Sequence, residues 1–244
     1  MTPRAYLNFE LMRTLRNRRF LMFSLAFPLA LYLFIAAPNR HEHAGSTGLS
    51  IPLYFMVSVA SFGTMMAMMS NGARIAIERG AGWTRQLRIT PLTPRQYFAA
   101  KVVCGYAVAL TTIVVLDLAG AALGVSLPAG RWLHMTVLVL VGLIPFAALG
   151  ILLGHLVSAD AIGPVVGGMT SLLALISGTW FPVSSGFLHD VAQVLPSYYL
   201  VQAGRVGIGG QPWGAKGWIV VGAWTVVLVA LARWAYVRDG RRPG

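Results

Sequence analysis

Charge is scarce in this sequence, and negative charge is scarcer still. Only 11% of the 244 residues are Asp, Glu, Lys or Arg, and seven of those are acidic. Soluble domains carry about 25% charged residues. With 57% hydrophobic residues, the chain has too little polar surface to cover a globule in water. This excludes a soluble enzyme and a disordered segment, and it predicts a single all-α integral membrane domain over residues 1–244.

The sequence also lacks disulfide-forming cysteines and the motifs of catalysis. Cys104 is the one cysteine, so no internal disulfide can form. The glycine-containing segment 210–216 lacks the Gly-Lys-Ser/Thr ending that cradles a phosphate. His41-Glu42-His43 has no further ligand nearby and is expected to be a solvated loop. We therefore expect no catalytic residue, no metal and no cofactor in this chain.

The uncharged parts of the sequence form long apolar stretches. A helix needs about 20 mostly apolar residues to cross a bilayer. The sequence predicts six such spans, at about 20–37, 51–73, 98–127, 132–157, 161–181 and 217–237. Pro28 and Pro145 lie inside spans and should kink them. Glycine pairs four residues apart favour close helix packing: Gly120/Gly124, Gly150/Gly154 and Gly163/Gly167.

The basic residues are distributed very unevenly around these spans. Five lie before the first span, six lie from Arg74 to Lys101 at the start of the third span, and four lie from Arg233 at the end of the last span onwards, which makes 15 against four on the other side. The positive-inside rule therefore predicts that both termini are cytoplasmic. This distribution also accounts for the net charge of +12 without a nucleic-acid partner. The predicted location is the cytoplasmic membrane.

Residues 1–19 predict an amphipathic helix that lies at the membrane interface. Leu7, Leu11 and Leu15 recur every four residues, whereas Arg4 and Arg13 fall elsewhere on the helical wheel. The alternative is a positively charged anchor for the first span.

Asp117 is a lone carboxylate within an apolar run, in the outer part of the third predicted span. Such a charge is costly in a membrane and marks a candidate functional site. It could carry a proton or bind a cationic substrate. It could equally be protonated, or hydrogen-bonded to Thr111, Thr112 or a neighbouring helix.

The loop between the second and third spans, residues 78–94, is the long cytoplasmic connection. Leu87 and Ile89 are apolar points within a basic, polar segment. Pro91 should end the preceding helix, and Thr93 with Pro94 should cap and begin the next one. A short helix is therefore predicted at about 82–89. It is suited to docking in a partner's groove, or else it contacts lipid headgroups only.

This loop resembles that of the membrane subunits of type 2 ABC transporters, including the daunorubicin-resistance-type drug exporters. In that family the second span is followed by a pattern like Glu-Arg-x-x-Gly-Thr-x-x-x-Leu-x-x-Thr-Pro-Leu. The matching residues here are Glu78, Arg79, Gly82, Thr84, Leu87, Thr90, Pro91 and Leu92. Trp83 stretches the Gly-Thr step, and Gln86 stands where an acidic residue is common.

A second resemblance follows the fifth span. Its residues match the family's outer segment, in which short helices re-enter the membrane: Gly178, Phe181-Pro182, Leu195-Pro196 and Tyr198. The family's usual Leu-Pro before that segment is Leu188-His189 here. Together with the topology, the resemblance covers essentially the whole chain.

The resemblance implies a function that composition alone does not give. Residues 78–94 would be a coupling segment docked on a separate ABC ATPase subunit, which would bind the ATP and Mg²⁺. The expected coupling residues are Glu78, Arg79, Gly82, Trp83, Thr84, Leu87, Ile89, Thr90 and Pro91. A second permease subunit, identical or homologous, is also expected. The predicted activity is export of a hydrophobic or amphipathic substrate such as a drug, lipid or polysaccharide.

Two other classes of protein remain open from the sequence. An ion-coupled secondary transporter would need ion-binding groups within its spans, and Asp117 is the only candidate in the sequence. A membrane-embedded enzyme would need His, Asp and Glu residues clustered at one depth, and the sequence shows no such cluster.

Overall fold

The computed structural model describes residues 3–44, 48–83, 86, 90–181, 183, 185–206, 208–210 and 212–240. Eleven α-helices have their bounds within this part of the chain, where the only extended pairing is an isolated bridge between His43 and Ser50. The helices are α1 (Pro3–Arg16), α2 (Arg18–Leu21), α3 (Phe27–Ala36), α4 (Ile51–Gly80), α5 (Pro94–Ala122), α6 (Ala129–Gly142), α7 (Ile144–Leu156), α8 (Ile162–Ile176), α9 (Phe187–Ala192), α10 (Pro196–Val206) and α11 (Ala215–Gly240).

Four helical stretches of the described chain are long and apolar enough to cross a membrane: Ile51–Gly80, Pro94–Ala122, Ala129–Leu156 and Ala215–Asp239. Two shorter apolar helices, Ser24–Ala36 and Ile162–Ile176, lie at the first and fifth predicted spans. Because these two are short for a crossing, the number of six spans stays a prediction. The all-α class is confirmed.

Both predicted proline kinks coincide with irregular helical geometry. A π-helical turn over Met22–Ala26 precedes α3, whose first turn contains Pro28. The fourth predicted span is interrupted at Leu143, between α6 and α7, and Pro145 lies in the first turn of α7. Proline lacks the amide hydrogen that an uninterrupted helix requires, so the backbone must adjust just before it.

Two helices end earlier than the predicted spans. α5 ends at Ala122 rather than near residue 127, and α8 ends at Ile176 rather than near residue 181. In each case a glycine with positive φ follows, Gly124 at 90° and Gly178 at 73°. The next amide donates back to the helix, from Val125 to Gly120 and from Thr179 to Ala174. This is the Schellman arrangement, which satisfies the last carbonyls and stops the helix.

α4 lies at the centre of the bundle and contacts α3, α5, α7, α8 and α10. Its crossing with α7 is very close, because a Cβ atom at Gly150 would lie 2.4 Å from the carbonyl oxygen of Met69, and one at Gly154 would lie 2.8 Å from that of Gly72. The predicted packing role of Gly150 and Gly154 is therefore confirmed. Gly163 and Gly167, in contrast, have no close neighbour within the described chain.

The N-terminal helix α1 is present, and it contacts α5. Its buried residues are Tyr6, Glu10 and Thr14, one turn apart, whereas Met12 and Leu15 are more than half exposed. α1 thus packs a polar and aromatic face against the protein and leaves apolar side chains outside. Its proposed position at a membrane interface stays a prediction.

The outer surface of the bundle is apolar. Large hydrophobic side chains on several helices are 66–84% exposed, among them Phe34, Leu118, Leu133, Phe187 and Val226. An exposed apolar surface of this extent is unstable in water but suited to lipid acyl chains.

Candidate functional site: two charge networks and a lone carboxylate

Polar side chains gather at one end of the bundle, where α1, the last turn of α4, the first turns of α5 and the last turn of α11 meet. We call it the basic end. Ion pairs join Arg13 of α1 to Glu78 of α4 and Arg79 of α4 to Asp239 of α11. Both terminal helices and both ends of the 78–94 loop therefore lie at the same end of the molecule. Two separate networks hold them there.

The first network is centred on Glu78. Its carboxylate accepts hydrogen bonds from Lys101 Nζ, from Arg13 Nη1 at 2.7 Å and from the Tyr97 hydroxyl at 2.5 Å. Lys101 Nζ also donates to Glu10 Oε1 at 2.5 Å. A helix on each side of the loop, α4 before it and α5 after it, is thus tied to α1.

This network lies inside the protein. The side chains of Glu10, Glu78 and Lys101 are each 1% exposed. Removing one partner from a buried ion pair typically costs about 3–5 kcal/mol, because the other charge is left without compensation. The network therefore depends on all its members being present.

The α1 members of this region have pKa values that keep their states fixed near neutral pH. Burial lowers the pKa of the Arg13 guanidinium, but the adjacent carboxylates of Glu78 and Glu10 more than offset this and hold it above its usual value. Burial raises the pKa of the Tyr6 hydroxyl, and the same carboxylates raise it further. Arg13 is thus charged and Tyr6 neutral at physiological pH.

The second network joins α4 to the ends of α7 and α11. Arg79 binds the Asp239 carboxylate with two nitrogens, Nε and Nη2, each at 2.7 Å. Its Nη1 donates to the backbone carbonyls of Gly154 and His155 at 3.0 and 2.9 Å. A single guanidinium therefore satisfies the last carbonyls of α7 and positions the last turn of α11.

The predicted coupling residues that the structure describes fall into three groups. Glu78 and Arg79 belong to the two networks. Gly82 has a φ of 72°, and Trp83 stacks on Phe9 of α1 with ring centroids 6.3 Å apart. The hydroxyl of Thr90 accepts a hydrogen bond from the Leu92 amide at 3.4 Å, and Pro91 is exposed.

The other predicted coupling residues, Thr84, Leu87 and Ile89, lie outside the described residues, so the helix expected at 82–89 is described only at 82, 83 and 86. The predicted start of the following helix is confirmed. Thr93 caps α5 in a reciprocal arrangement with Gln96, and Pro94 occupies the first turn.

Asp117 lies on α5, remote in sequence from the basic-end residues of the same helix. Its Oδ1 is fully buried and has no hydrogen-bond partner within the described chain. Neither Thr111 nor Thr112 bonds to it, because both hydroxyls donate to backbone carbonyls of the preceding turn. Asp117 borders a shallow groove of about 400 Å³ together with Leu118, Val125 and Trp132.

Sequence reasoning did not anticipate Glu10, Tyr97, Lys101 or Asp239. In the sequence, Lys101 is notable only as one of the basic residues that predict the orientation. One signal was available, because Lys101 follows two alanines near the start of an apolar helix, where a lysine needs a partner if it is buried. The identity of the partners depends on tertiary contacts across 91 and 23 residues.

The outer surface of the helical bundle is apolar, and buried polar side chains pair with one another in its interior. This is the architecture of an all-α, multi-pass membrane protein. Residues 38–234 match the family model described as ABC-2 family transporter protein. The chain belongs to this family, and it is accordingly a membrane subunit of an ABC transporter. It is also similar to "Putative transport permease YvfS" of Bacillus subtilis (strain 168), with 28% identity over 241 residues that cover 94% of each chain.

Proposed function

We propose that this protein is the membrane-spanning subunit of an ATP-driven exporter, working with a separate ABC ATPase subunit. One observation carries the proposal: residues 78–94 are fastened to the bundle on both sides. Glu78 and Arg79 precede the loop, Tyr97 and Lys101 follow it, and all four belong to the networks of the basic end. A force applied to this loop would therefore reach α1, α4, α5, α7 and α11.

In this proposal the networks and the loop have different roles. Glu78 and Arg79 are positioning residues that hold the loop, since their polar groups are already engaged inside the protein. Gly82, Trp83, Thr84, Leu87, Ile89, Thr90 and Pro91 form the segment that meets the ATPase. The stacking of Trp83 on Phe9 links this segment to α1 as well.

Transport would require two membrane subunits and two ATPase subunits, with ATPase closure opening the membrane dimer to the outside. The dimer rests on the family's usual assembly. No atom of the described chain lies within 4 Å of a Cβ added at Gly163 or Gly167 on α8, which leaves a smooth face for a second subunit. The substrate is a hydrophobic or amphipathic molecule such as a drug, lipid or polysaccharide.

Asp117 is the proposed substrate site. A carboxylate with an unpartnered oxygen in an apolar groove favours a cationic group, and Trp132 in the same groove can contribute a cation–π contact. The same observation supports the alternative function, an ion-coupled secondary transporter. Depleting ATP in vesicles while keeping the ion gradients distinguishes the two, because only the ABC exporter would stop.

The docking proposal is tested by Leu87→Ala combined with Ile89→Ala. Apolar anchors of a docked helix typically carry about 1–4 kcal/mol each. We therefore expect the complex with the ATPase to weaken about tenfold or more, at about 1.4 kcal/mol per decade. The affinity of the tagged permease for its ATPase, and transport in vesicles, are the measurements.

Gln86→Ala is the matched control, because Gln86 is an exposed polar residue of the same segment. It should change the affinity less than about twofold, as neutral rim contacts do. Full ATPase association and full transport by the Leu87 and Ile89 double variant would contradict the role of residues 78–94.

The proposed orientation, with both termini cytoplasmic, is tested by cysteine labelling in a background with Cys104→Ser. Cysteines replacing Ser46 and Ser184 should react with a membrane-impermeant maleimide added to intact cells, and a cysteine replacing Thr84 should react only after lysis. Labelling of position 84 from outside would reverse the topology.

A further inference from the structure

A pocket of about 580 Å³ lies between α1 and the last turns of α4. Three kinds of side chain line it. Guanidinium groups come from Arg13, Arg16 and Arg74, apolar groups come from Phe9, Met12 and Ile77, and Asn17 adds a polar amide. The pocket belongs to neither the 78–94 loop nor the Asp117 groove.

The charges around this pocket do not balance. The pocket and the network behind it contain four basic side chains, of Arg13, Arg16, Arg74 and Lys101. Among the described residues only two carboxylates, of Glu10 and Glu78, accompany them, and both are already bound by Lys101 and Arg13. The pocket lining that the structure describes contains no acidic residue. The region therefore has a formal excess of two positive charges and is complementary to an anion.

Two of the three arginines have hydrogen-bonding capacity to spare. Arg74 donates to the Thr14 hydroxyl at 2.9 Å, and its guanidinium lies 5.5 Å from the ring centroid of Phe20. Arg16 is exposed and makes no ion pair with the described part of the chain. A guanidinium has five N–H donors, so both side chains can bind phosphate oxygens.

The apolar wall distinguishes the ligand from a simple anion. Phe9, Met12 and Ile77 are 42%, 58% and 50% exposed, although each is a large hydrophobic residue. Leu15 and Met22, close by in sequence, are more than half exposed as well. An inorganic anion gains nothing from such a surface, whereas a molecule with an anionic head and an apolar tail contacts both kinds of side chain.

We propose that this pocket binds an anionic phospholipid. Arg16 and Arg74 bind the phosphate, Arg13 adds positive charge from its place in the buried network, and an acyl chain lies along Met12 and Ile77. Basic pockets beside membrane helices recognise anionic headgroups in this way. With the orientation proposed above, the lipid comes from the cytoplasmic leaflet. The lipid would join α1 to α4 from outside, as Glu78 joins them from inside.

The experiment uses the full-length permease in mild detergent, with dioleoylphosphatidylglycerol and dioleoylphosphatidylcholine as probes. Each basic side chain near a membrane surface contributes a factor of about five in binding an anionic lipid. The wild-type protein should therefore bind phosphatidylglycerol at least about fivefold more tightly than phosphatidylcholine. Lipid bound at equilibrium, counted by native mass spectrometry, is the measurement.

Arg16→Gln combined with Arg74→Gln should weaken phosphatidylglycerol binding about 25-fold. Phosphatidylcholine binding should weaken much less, because the choline group of that lipid cancels the charge of its phosphate. Arg4→Gln combined with Arg95→Gln is the matched control, since both are exposed arginines that do not line the pocket and the net charge changes equally. It should weaken phosphatidylglycerol binding less than about twofold. If the Arg74 variant does not fold, Arg16→Gln alone should still lose about fivefold.

Several outcomes would overturn the proposal. Equal binding of the two lipids by the wild-type protein excludes an anionic lipid site, and retained phosphatidylglycerol affinity in the Arg16 and Arg74 double variant excludes this pocket. Competition by millimolar inorganic phosphate that abolishes lipid binding identifies a site for free anions. Loss of ATPase co-purification with unchanged lipid binding identifies a protein-docking surface. The lipid measurements need no ATPase, so they do not depend on the proposed export function.

Discussion

Glu78 and Asp117 are both carboxylates on apolar helices, but they differ in whether other side chains compensate their charge. Glu78 at the basic end is surrounded by Lys101, Arg13 and Tyr97. Asp117 has one buried oxygen without any partner in the described chain. The first carboxylate is neutralised by its own protein and stabilises the fold. The second is not compensated within the described chain, as the substrate role proposed for Asp117 requires.

Removing Lys101 should have the largest effect, because it tests whether Glu78 depends on its compensating charges. Lys101→Met leaves Glu10 and Glu78 buried with Arg13 as the remaining cation, so we expect the free energy of unfolding to fall by about 3–5 kcal/mol. Denaturant titration of the purified protein in detergent measures this change.

A second variant shows whether uncompensated charge is the cause. Adding Glu10→Gln to Lys101→Met leaves Glu78 paired with Arg13, so the double variant should recover part of the lost stability. A double variant less stable than Lys101→Met alone would contradict the electrostatic explanation and indicate lost packing.

The second network provides a milder test, because Arg79 and Asp239 are each 22% exposed. Arg79→Gln removes a two-nitrogen contact and the cap on α7, and we expect a loss of about 1–2 kcal/mol, discounted for solvent screening. Faster amide hydrogen exchange in the last turn of α11 is the measurement. Arg79→Lys keeps the charge but not the forked geometry, so its amide hydrogen exchange rate should be intermediate. A wild-type exchange rate in Arg79→Gln would mean that other contacts hold α11.

The smallest effect on stability is expected at Asp117. Asp117→Asn keeps the shape of the side chain and breaks no hydrogen bond of Oδ1 within the described chain, so the free energy of unfolding should fall by less than about 0.5 kcal/mol. Transport of a monovalent cationic substrate in vesicles should fall about tenfold, whereas transport of a neutral one should not change. A loss of stability comparable to that of Lys101→Met would show that Asp117 has a structural role.

The sequence anticipated local features more accurately than contacts between helices. The Thr93 cap and the irregular helices at Pro28 and Pro145 follow from chemistry within a few residues. The glycine pair Gly150/Gly154 indicated a close helix crossing but did not identify its partner, α4. The helix ends at Ala122 and Ile176 were missed, because the apolar run continues beyond them and a glycine in the left-handed region ends the helix first.

The N-terminal helix shows why the remainder could not be predicted. The leucine spacing in residues 1–19 predicted an apolar stripe, and the helix is present, but its buried face is Tyr6, Glu10 and Thr14. A polar face is favoured inside the protein only if its partners are there, and those partners come from α4 and α5. No local pattern carries that information.

The membrane class, the helical content and the asymmetric distribution of basic residues were determined by the sequence alone, because hydropathy and charge are sums over residues and need no fold. The tertiary structure decided which charges neutralise one another. Lys101 meets Glu10 from 91 positions away, and Arg79 meets Asp239 from 160 positions away. Within the described chain, Asp117 Oδ1 is left without such a partner for the same reason. Whether a buried charge is compensated depends on distances of a few ångströms between helices, which only their packing sets.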